Sequence, residues 1–361
     1  MKKIILTASS DLYSDQRMQR ISKALHDFGY DVVLVGRYLG RSFEGPYKTV
    51  QLKCIFNRGI LFYFELNLRV LLFLLTHKYD CLCSVDLDTM LSGWLSSRIK
   101  NVRWVFDAHE YYEEAPEVIH RAFIKKFWSK IGLWTVPKTD GAYTVSKSLQ
   151  ELFKTKYSID FELIRNVPNY HDKADYNVNS KVFLYQGVLN KGRGLEALIL
   201  CMEELKEYTL LFAGTGDVEE KLKDLVQKKG LNNRVQFLGL ISPIKLIELT
   251  KTAVLGFNLL EGNSPNYYYS LANKHFDYMM ACVPSVSMAF PEYITLNEKY
   301  GMSILIDKLE PNELVKHLKV FLNDKELLQK LSTNSRLASK DLNWEMESQK
   351  LIKIYQNLLS Q

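Results

Sequence analysis

The sequence predicts an α/β protein made of two doubly wound, parallel-sheet domains. Three observations lead there. Short apolar segments alternate with helical patterns from end to end. The alternation breaks at a polar, irregular stretch, residues 166–181, and then restarts. The chain, at 361 residues, is long for one core but suits two domains of ordinary size.

In the first half the expected strands are residues 3–8, 31–36, 49–54, 81–85, 102–107, 141–145 and 162–165. Residues 1–8 superficially resemble a signal sequence, but the apolar run is too short and breaks at Ser9-Ser10-Asp11. It reads as the first buried strand of a parallel sheet. Helices are expected at 16–28, with Asp15 as N-cap and Gly29 as stop, and at 89–99. Residues 59–76 are rich in Leu and Phe but are interrupted by Glu65, Asn67 and Arg69. A membrane span needs about 20 cleaner residues, so a helix buried in the N-terminal half or packed on its surface is expected. In the second half strands are expected at 182–186, 209–213, 234–238 and 254–259, with helices at 195–205 and 218–229. Pro284 opens a further strand, 285–288. After about residue 310 only helices follow, ending in an amphipathic one at 344–359.

Apolar residues make up 47% and charged residues 24%, a globular profile that argues against disorder. Five cysteines, without metal-ligand spacing, read as reduced thiols of a cytoplasmic protein. The net charge of +6 is too small to imply nucleic acid. Residues 120–134 interleave Arg121, Lys125, Lys126 and Lys130 with Phe123, Phe127, Trp128 and Trp134. Two readings stay open: a helix on an anionic membrane surface, or an amphipathic helix packed on its own domain.

Chemistry concentrates at expected strand ends, where open parallel sheets bind ligands. Residues 266–284 run from a polar aromatic loop into a short helix carrying Asn273, Lys274 and Asp277. Lys274 and Asp277, three apart, share a helical face. A cation, a carboxylate and free helix-start N–H groups suit a phosphate beside a vicinal diol, which describes a nucleotide sugar. The turn 186–196 is Gly-rich, with Lys191 and Arg193 as phosphate-binding cations. The next turn holds Gly214 and Gly216, where the donor can approach closely, and Leu240 sits on a candidate base-contacting edge. In the first half Asp107, His109 and Glu110 follow a buried strand, and Arg17 lies in the first turn of the first helix, within reach of the same edge.

The 266–284 segment resembles the donor motif of retaining glycosyltransferases of family four, in which two glutamates are separated by seven residues. Asp277 falls on the second glutamate and Tyr269 on the first. The 186–196 turn resembles that family's diphosphate clamp, with Arg193 on its lysine, Val188 in place of its arginine, and Lys191 able to compensate. Residues 107–110 resemble the Asp-x-His-Glu signature of a bacterial polysaccharide-type branch, and Asp86-Leu87-Asp88 resembles the same branch.

The resemblance implies the GT-B fold: facing Rossmann-like domains at 1–170 (acceptor) and 181–340 (donor), with 341–361 crossing back as a helix. It implies sugar transfer with retention and without metal or cofactor, from a nucleotide-diphosphate sugar to a glycan or lipid-linked acceptor. His109, Arg193 and Lys274 would be catalytic. Lys191, Gly214, Gly216, Leu240, Tyr269, Asn273 and Asp277 would bind donor, and Arg17, Asp107 and Glu110 acceptor. Asp86 and Asp88 have metal-binding spacing but lie in the acceptor half, so a structural or acceptor role is expected. Two alternatives stay open: a scaffold with a decayed donor site, suggested by Tyr269 and Val188, and a nucleotide-sugar epimerase. No Gly-x-Gly-x-x-Gly follows the first strand, which argues against a nicotinamide enzyme.

Overall fold

The computed structural model describes residues 1–115, 118, 121–171 and 175–360. The chain forms two compact units: residues 1–166 together with 347–361, and residues 167–346.

The N-terminal unit is built on seven strands: β1 (Lys3–Asp11), β2 (Asp31–Arg37), β3 (Lys48–Leu52), β4 (Cys81–Val85), β5 (Arg103–Ala108), β6 (Gly141–Thr144) and β7 (Glu162–Leu163). Their order is β3-β2-β1-β4-β5-β6-β7, and every pairing is parallel. The order reverses between β1 and β4, so the chain winds outward in both directions from that pair. β4 is buried along its whole length, as continuous apolar strands of such sheets are. Cys81 and Cys83 lie within it as buried thiols. Asp15 caps the helix Gln16–Asp27 by accepting the Met18 N–H, and Gly29 ends it at φ +107°.

The C-terminal unit contains β8 (Val182–Gln186), β9 (Thr209–Ala213), β10 (Val235–Gly239), β11 (Leu255–Asn258), β12 (Ser285–Met288) and β13 (Ser303–Ile306). The order β10-β9-β8-β11-β12-β13 is again all parallel. β13, only four residues long, was not expected from the sequence. The polar stretch 166–181, where the alternation breaks, is packed on this unit where it is described. The Tyr176 hydroxyl donates to Val254 O at 3.0 Å, and the Ser180 hydroxyl to Thr252 O at 2.6 Å. Residues 172–174 of that stretch lie outside the described residues.

Of the two settings expected for residues 59–76, the structure has the second, a helix packed on the surface of the N-terminal unit. Gly59–Thr76 buries only the stripe Phe62, Leu66, Val70 and Leu74 and exposes its other apolar face. The helix expected from residue 120 spans Ala122–Thr135, and His120 lies outside the described residues. Along it Trp128 is buried, whereas Phe123, Phe127 and Trp134 are exposed.

The final helix, Trp344–Ser360, enters the N-terminal unit at Glu347. The Glu347 carboxylate is fully buried; it accepts the Arg165 N–H at 3.0 Å and pairs with the Arg165 guanidinium at 3.3 Å. Further along, the Tyr355 hydroxyl meets that of Tyr143 at 3.4 Å, and Leu358 covers Gly141. Removing one partner of a buried ion pair leaves the other uncompensated. Glu347→Ala is therefore expected to destabilise the N-terminal unit by about 3 kcal/mol. Urea unfolding followed by tryptophan fluorescence reads this directly, since four of the five tryptophans (Trp94, Trp104, Trp128, Trp134) lie in that unit.

Candidate functional site

In the C-terminal unit, the turns after β8 and β9 are made of close-packed backbone. Gly187, Gly192 and Gly194 all have positive φ, and Gly194 caps the helix Leu195–Cys201 at φ +63°. A Cβ on Gly214 would collide with the Gly187 carbonyl oxygen, and one on Gly216 with that of Leu189. These two glycines are thus needed for the two turns to lie against each other.

Over this backbone stands the helix Asn273–Met280. Lys274 is 7% exposed, and its ammonium lies 3.8 Å from the centre of the Tyr185 ring, facing Gly187. No hydrogen-bond acceptor meets it among the described residues. Burial, and then the Arg193 charge, push its pKa well below the ordinary lysine value, against the pull of Asp277. Arg193 stands 5.7 Å over the Tyr267 ring. Asp277, one turn after Lys274, accepts from the Gln186 amide at 2.8 Å, and Gln186 in turn accepts from the Thr250 hydroxyl at 2.9 Å. Asn273 and Lys191 are exposed, Leu240 is 79% exposed, and Tyr269 ends the short helix Pro265–Tyr268. His275, next to Lys274, is held by the Ser285 and Ser287 hydroxyls, and burial pushes its pKa down to about 4. It is neutral and structural. Gln186 was missed in the sequence; its signal is a polar residue closing an otherwise apolar strand.

In the N-terminal unit, β1, β4 and β5 end side by side. Asp107 has no exposed surface; its two oxygens meet the Arg17 guanidinium and the His109 ring nitrogen Nε2, each at 2.9 Å. Arg17 also donates to Ile164 O at 3.1 Å. Arg17 and Asp107 were expected at an acceptor. In this structure both are buried and bonded to each other, so they act as the support beneath His109. Glu110 is exposed.

Asp86 meets His109 from the other side. It accepts the His109 backbone N–H at 2.9 Å, and its second oxygen lies 3.7 Å from Nδ1. Its φ of +52° is unusual for a non-glycine residue and marks local strain. Asp88 turns elsewhere, to the Ser9 hydroxyl. Burial raises the pKa of Asp86 to about 8 and of Asp88 to about 7. Burial also opposes charge on His109, but Asp107 and then Asp86 outweigh it and raise its pKa to about 9. The balance favours the protonated imidazole at neutral pH, placed between two carboxyl groups.

Two doubly wound units of this kind define the GT-B class of fold. Sucrose-phosphate synthase of Thermosynechococcus elongatus shares it, with a TM-score of 0.84 over 100% of both chains at 18% identity. Anabaena HepE in complex with UDP-glucose matches at 0.77, covering 99% of this chain and 100% of its own, at 15% identity. The family model for glycosyltransferase family 4 matches residues 16–174, and that for glycosyl transferases group 1 matches residues 166–338. The chain belongs to this glycosyltransferase family. An uncharacterized glycosyltransferase of Methanocaldococcus jannaschii is 28% identical over 131 residues, a match covering 30% of this chain and 34% of that protein.

The raised pKa of His109 has a sign that can be checked. Its folded value, about 9, exceeds the ordinary 6.5, so its contribution to stability is complete below about pH 6.5 and is lost as pH rises through 9. The stability difference between the wild type and His109→Asn is expected to shrink by about 3 kcal/mol across that window. Urea unfolding at a series of pH values measures it.

Proposed function

We propose that this protein is a retaining, metal-independent glycosyltransferase that moves a sugar from a nucleotide-diphosphate sugar to a glycan or lipid-linked acceptor. The observation that carries this reading is Lys274. A buried ammonium with no acceptor destabilises the protein, and its position over the Gly187 turn suits a diphosphate oxygen that would supply the missing partner. Arg193 and the N–H groups at the start of the helix Asn273–Met280 add positive potential to the same place. They would offset the charge that develops as the sugar–phosphate bond breaks.

Asp277, oriented by Gln186, would accept the two ribose hydroxyls. The Gly214 and Gly216 turn would flank the donor, with Leu240 beside the base and Lys191, Tyr269 and Asn273 around the diphosphate and sugar. The uridine complex of the Anabaena neighbour makes a UDP-sugar the first donor to try. The acceptor proton would pass to a donor phosphate oxygen, which agrees with a His109 that is already protonated. His109 would hold the sugar, with Glu110 toward the acceptor. Metal independence is supported by the way Asp86 and Asp88 turn to different partners, His109 and Ser9. A role in bacterial surface polysaccharide assembly, at the inner face of the membrane through the helix Ala122–Thr135, completes the proposal. The scaffold alternative gains from Tyr269 and Val188, but gives no reason to keep an unpaired buried lysine.

Arg193→Ala is expected to lower donor turnover by about 10²–10³-fold, the usual effect of losing one such charge donor. Lys274→Met is expected to move two readouts in opposite directions. The free protein should melt about 2–4 °C higher per kcal/mol of relieved desolvation, while the thermal shift given by UDP or GDP disappears. Release of nucleotide diphosphate at the wild-type rate by both variants would show that the site is misplaced.

A further inference from the structure

The helices Gly59–Thr76, Met90–Lys100 and Ala122–Thr135 lie side by side on the N-terminal unit. Trp94 packs on Trp134 with ring centres 4.4 Å apart, and Tyr63 on Trp128 at 5.0 Å. Each helix turns its buried stripe inward, so their outer stripes share one face. That face is apolar where a protein surface is ordinarily polar. Ile60 is 72% exposed, Phe64 68%, Leu61 57% and Leu72 56%, all on the first helix. Ile99 on the second helix and Phe123 on the third are 60% and 77% exposed. Single exposed apolar residues need no explanation, but a contiguous set marks a contact surface. The first helix has a mean hydropathy of 1.7, yet only 28% of it is buried.

The charges name the occupant. Across the three helices stand six cations (Arg69, Arg98, Lys100, Lys125, Lys126, Lys130) and one carboxylate, Glu65. Glu65 is 11% exposed, pairs with Arg69 at 2.7 Å and accepts the N–H groups of Ile55 and Phe56. Lys125 is paired with Glu114. Lys126 and Lys130 are exposed and meet no carboxylate among the described residues. A second copy of this chain would set these cations against their own kind, which disfavours a symmetric dimer through this face. A bilayer containing anionic lipid satisfies both features at once: acyl chains for the leucines and phenylalanines, phosphates for the lysines.

We propose that this three-helix face lies flat on an anionic lipid bilayer, with Gly59–Thr76 as its main inserted element. The helix lies on the membrane and does not span it. Its stripe Phe62, Leu66, Val70 and Leu74 is packed inside its own unit, and the Glu65–Arg69 pair interrupts its middle. This enlarges the membrane side of the proposed function from one helix to three. It rests on that reading only in placing the enzyme near lipid, and its test needs no sugar transfer.

The test is flotation of the full chain with vesicles of phosphatidylcholine alone or mixed with phosphatidylglycerol, at low and high salt. The wild type is expected to float with the mixed vesicles and to release in high salt. The combined variant Leu61→Ser, Phe64→Ser, Leu72→Ser is expected to bind at least tenfold more weakly. Lys126→Glu with Lys130→Glu should weaken binding by about fivefold or more per lysine. All these positions are exposed, and an unchanged urea-unfolding transition by tryptophan fluorescence, which reports the N-terminal unit, confirms that each variant is folded. Absence of flotation at low salt, equal flotation of the variants and the wild type, or a dimer that the serine variant converts to monomer would each overturn the proposal. Loss of the UDP response in a wild type that still floats would overturn the donor site and leave this surface standing.

Discussion

Asp107 ends β5 as a carboxyl group with no exposed surface, and it can be ionised there only because Arg17 and His109 flank it. Burial alone would push its pKa up; the two cations reverse the direction. The arrangement in turn decides the state of His109. With Asp107 on one ring nitrogen and Asp86 near the other, the imidazole keeps its proton at neutral pH. Three strand ends must be adjacent for this to happen, and the parallel order β1-β4-β5 makes them so. Arg17 comes from the helix after β1, Asp86 from the end of β4, and Asp107 and His109 from the end of β5 and just beyond it.

The C-terminal unit uses the same topology with an opposite electrostatic balance. In the N-terminal unit Arg17 and His109 each meet a carboxylate oxygen of Asp107. In the C-terminal unit Lys274 is buried against the Tyr185 ring and meets no hydrogen-bond acceptor among the described residues, beside a turn built on glycines. The proposed diphosphate would supply that missing partner where the lysine already stands, as preorganised electrostatic stabilisation requires.

How legible was this in the sequence? The alternation of apolar and helical segments located most strands to within a residue or two, because buried parallel strands are continuous apolar runs. It missed β13, whose four residues are too few for a pattern to emerge. The short-range devices, such as Asp15 as a cap and Gly29 as a stop, were readable because each acts within one helical turn. Arg17 was placed near that edge, but its partners there, Asp107 and Ile164, were not legible, because they are 90 and 147 residues away. Gln186 was invisible as an orienting group for the same reason, since Asp277 lies 91 residues further on. For the helix Gly59–Thr76 the composition left burial and surface packing both open, because it does not say that only one stripe has anything to pack against.

The buried pin between Glu347 and Arg165 also bears on how the protein is made. The N-terminal unit is discontinuous, closed by residues 347–361 after the whole of 167–346 has intervened. At about 5–20 residues per second, those 180 intervening residues take about 10–40 s to synthesise. Throughout that interval the nascent first unit lacks the helix that covers Gly141 and Tyr143, while the second unit is contiguous and able to close as soon as it emerges. Order of synthesis and order of completion are thus reversed. The domain that leaves the ribosome first is the last to be finished, and a chain cut short near its end would leave two nearly complete units, one of them open.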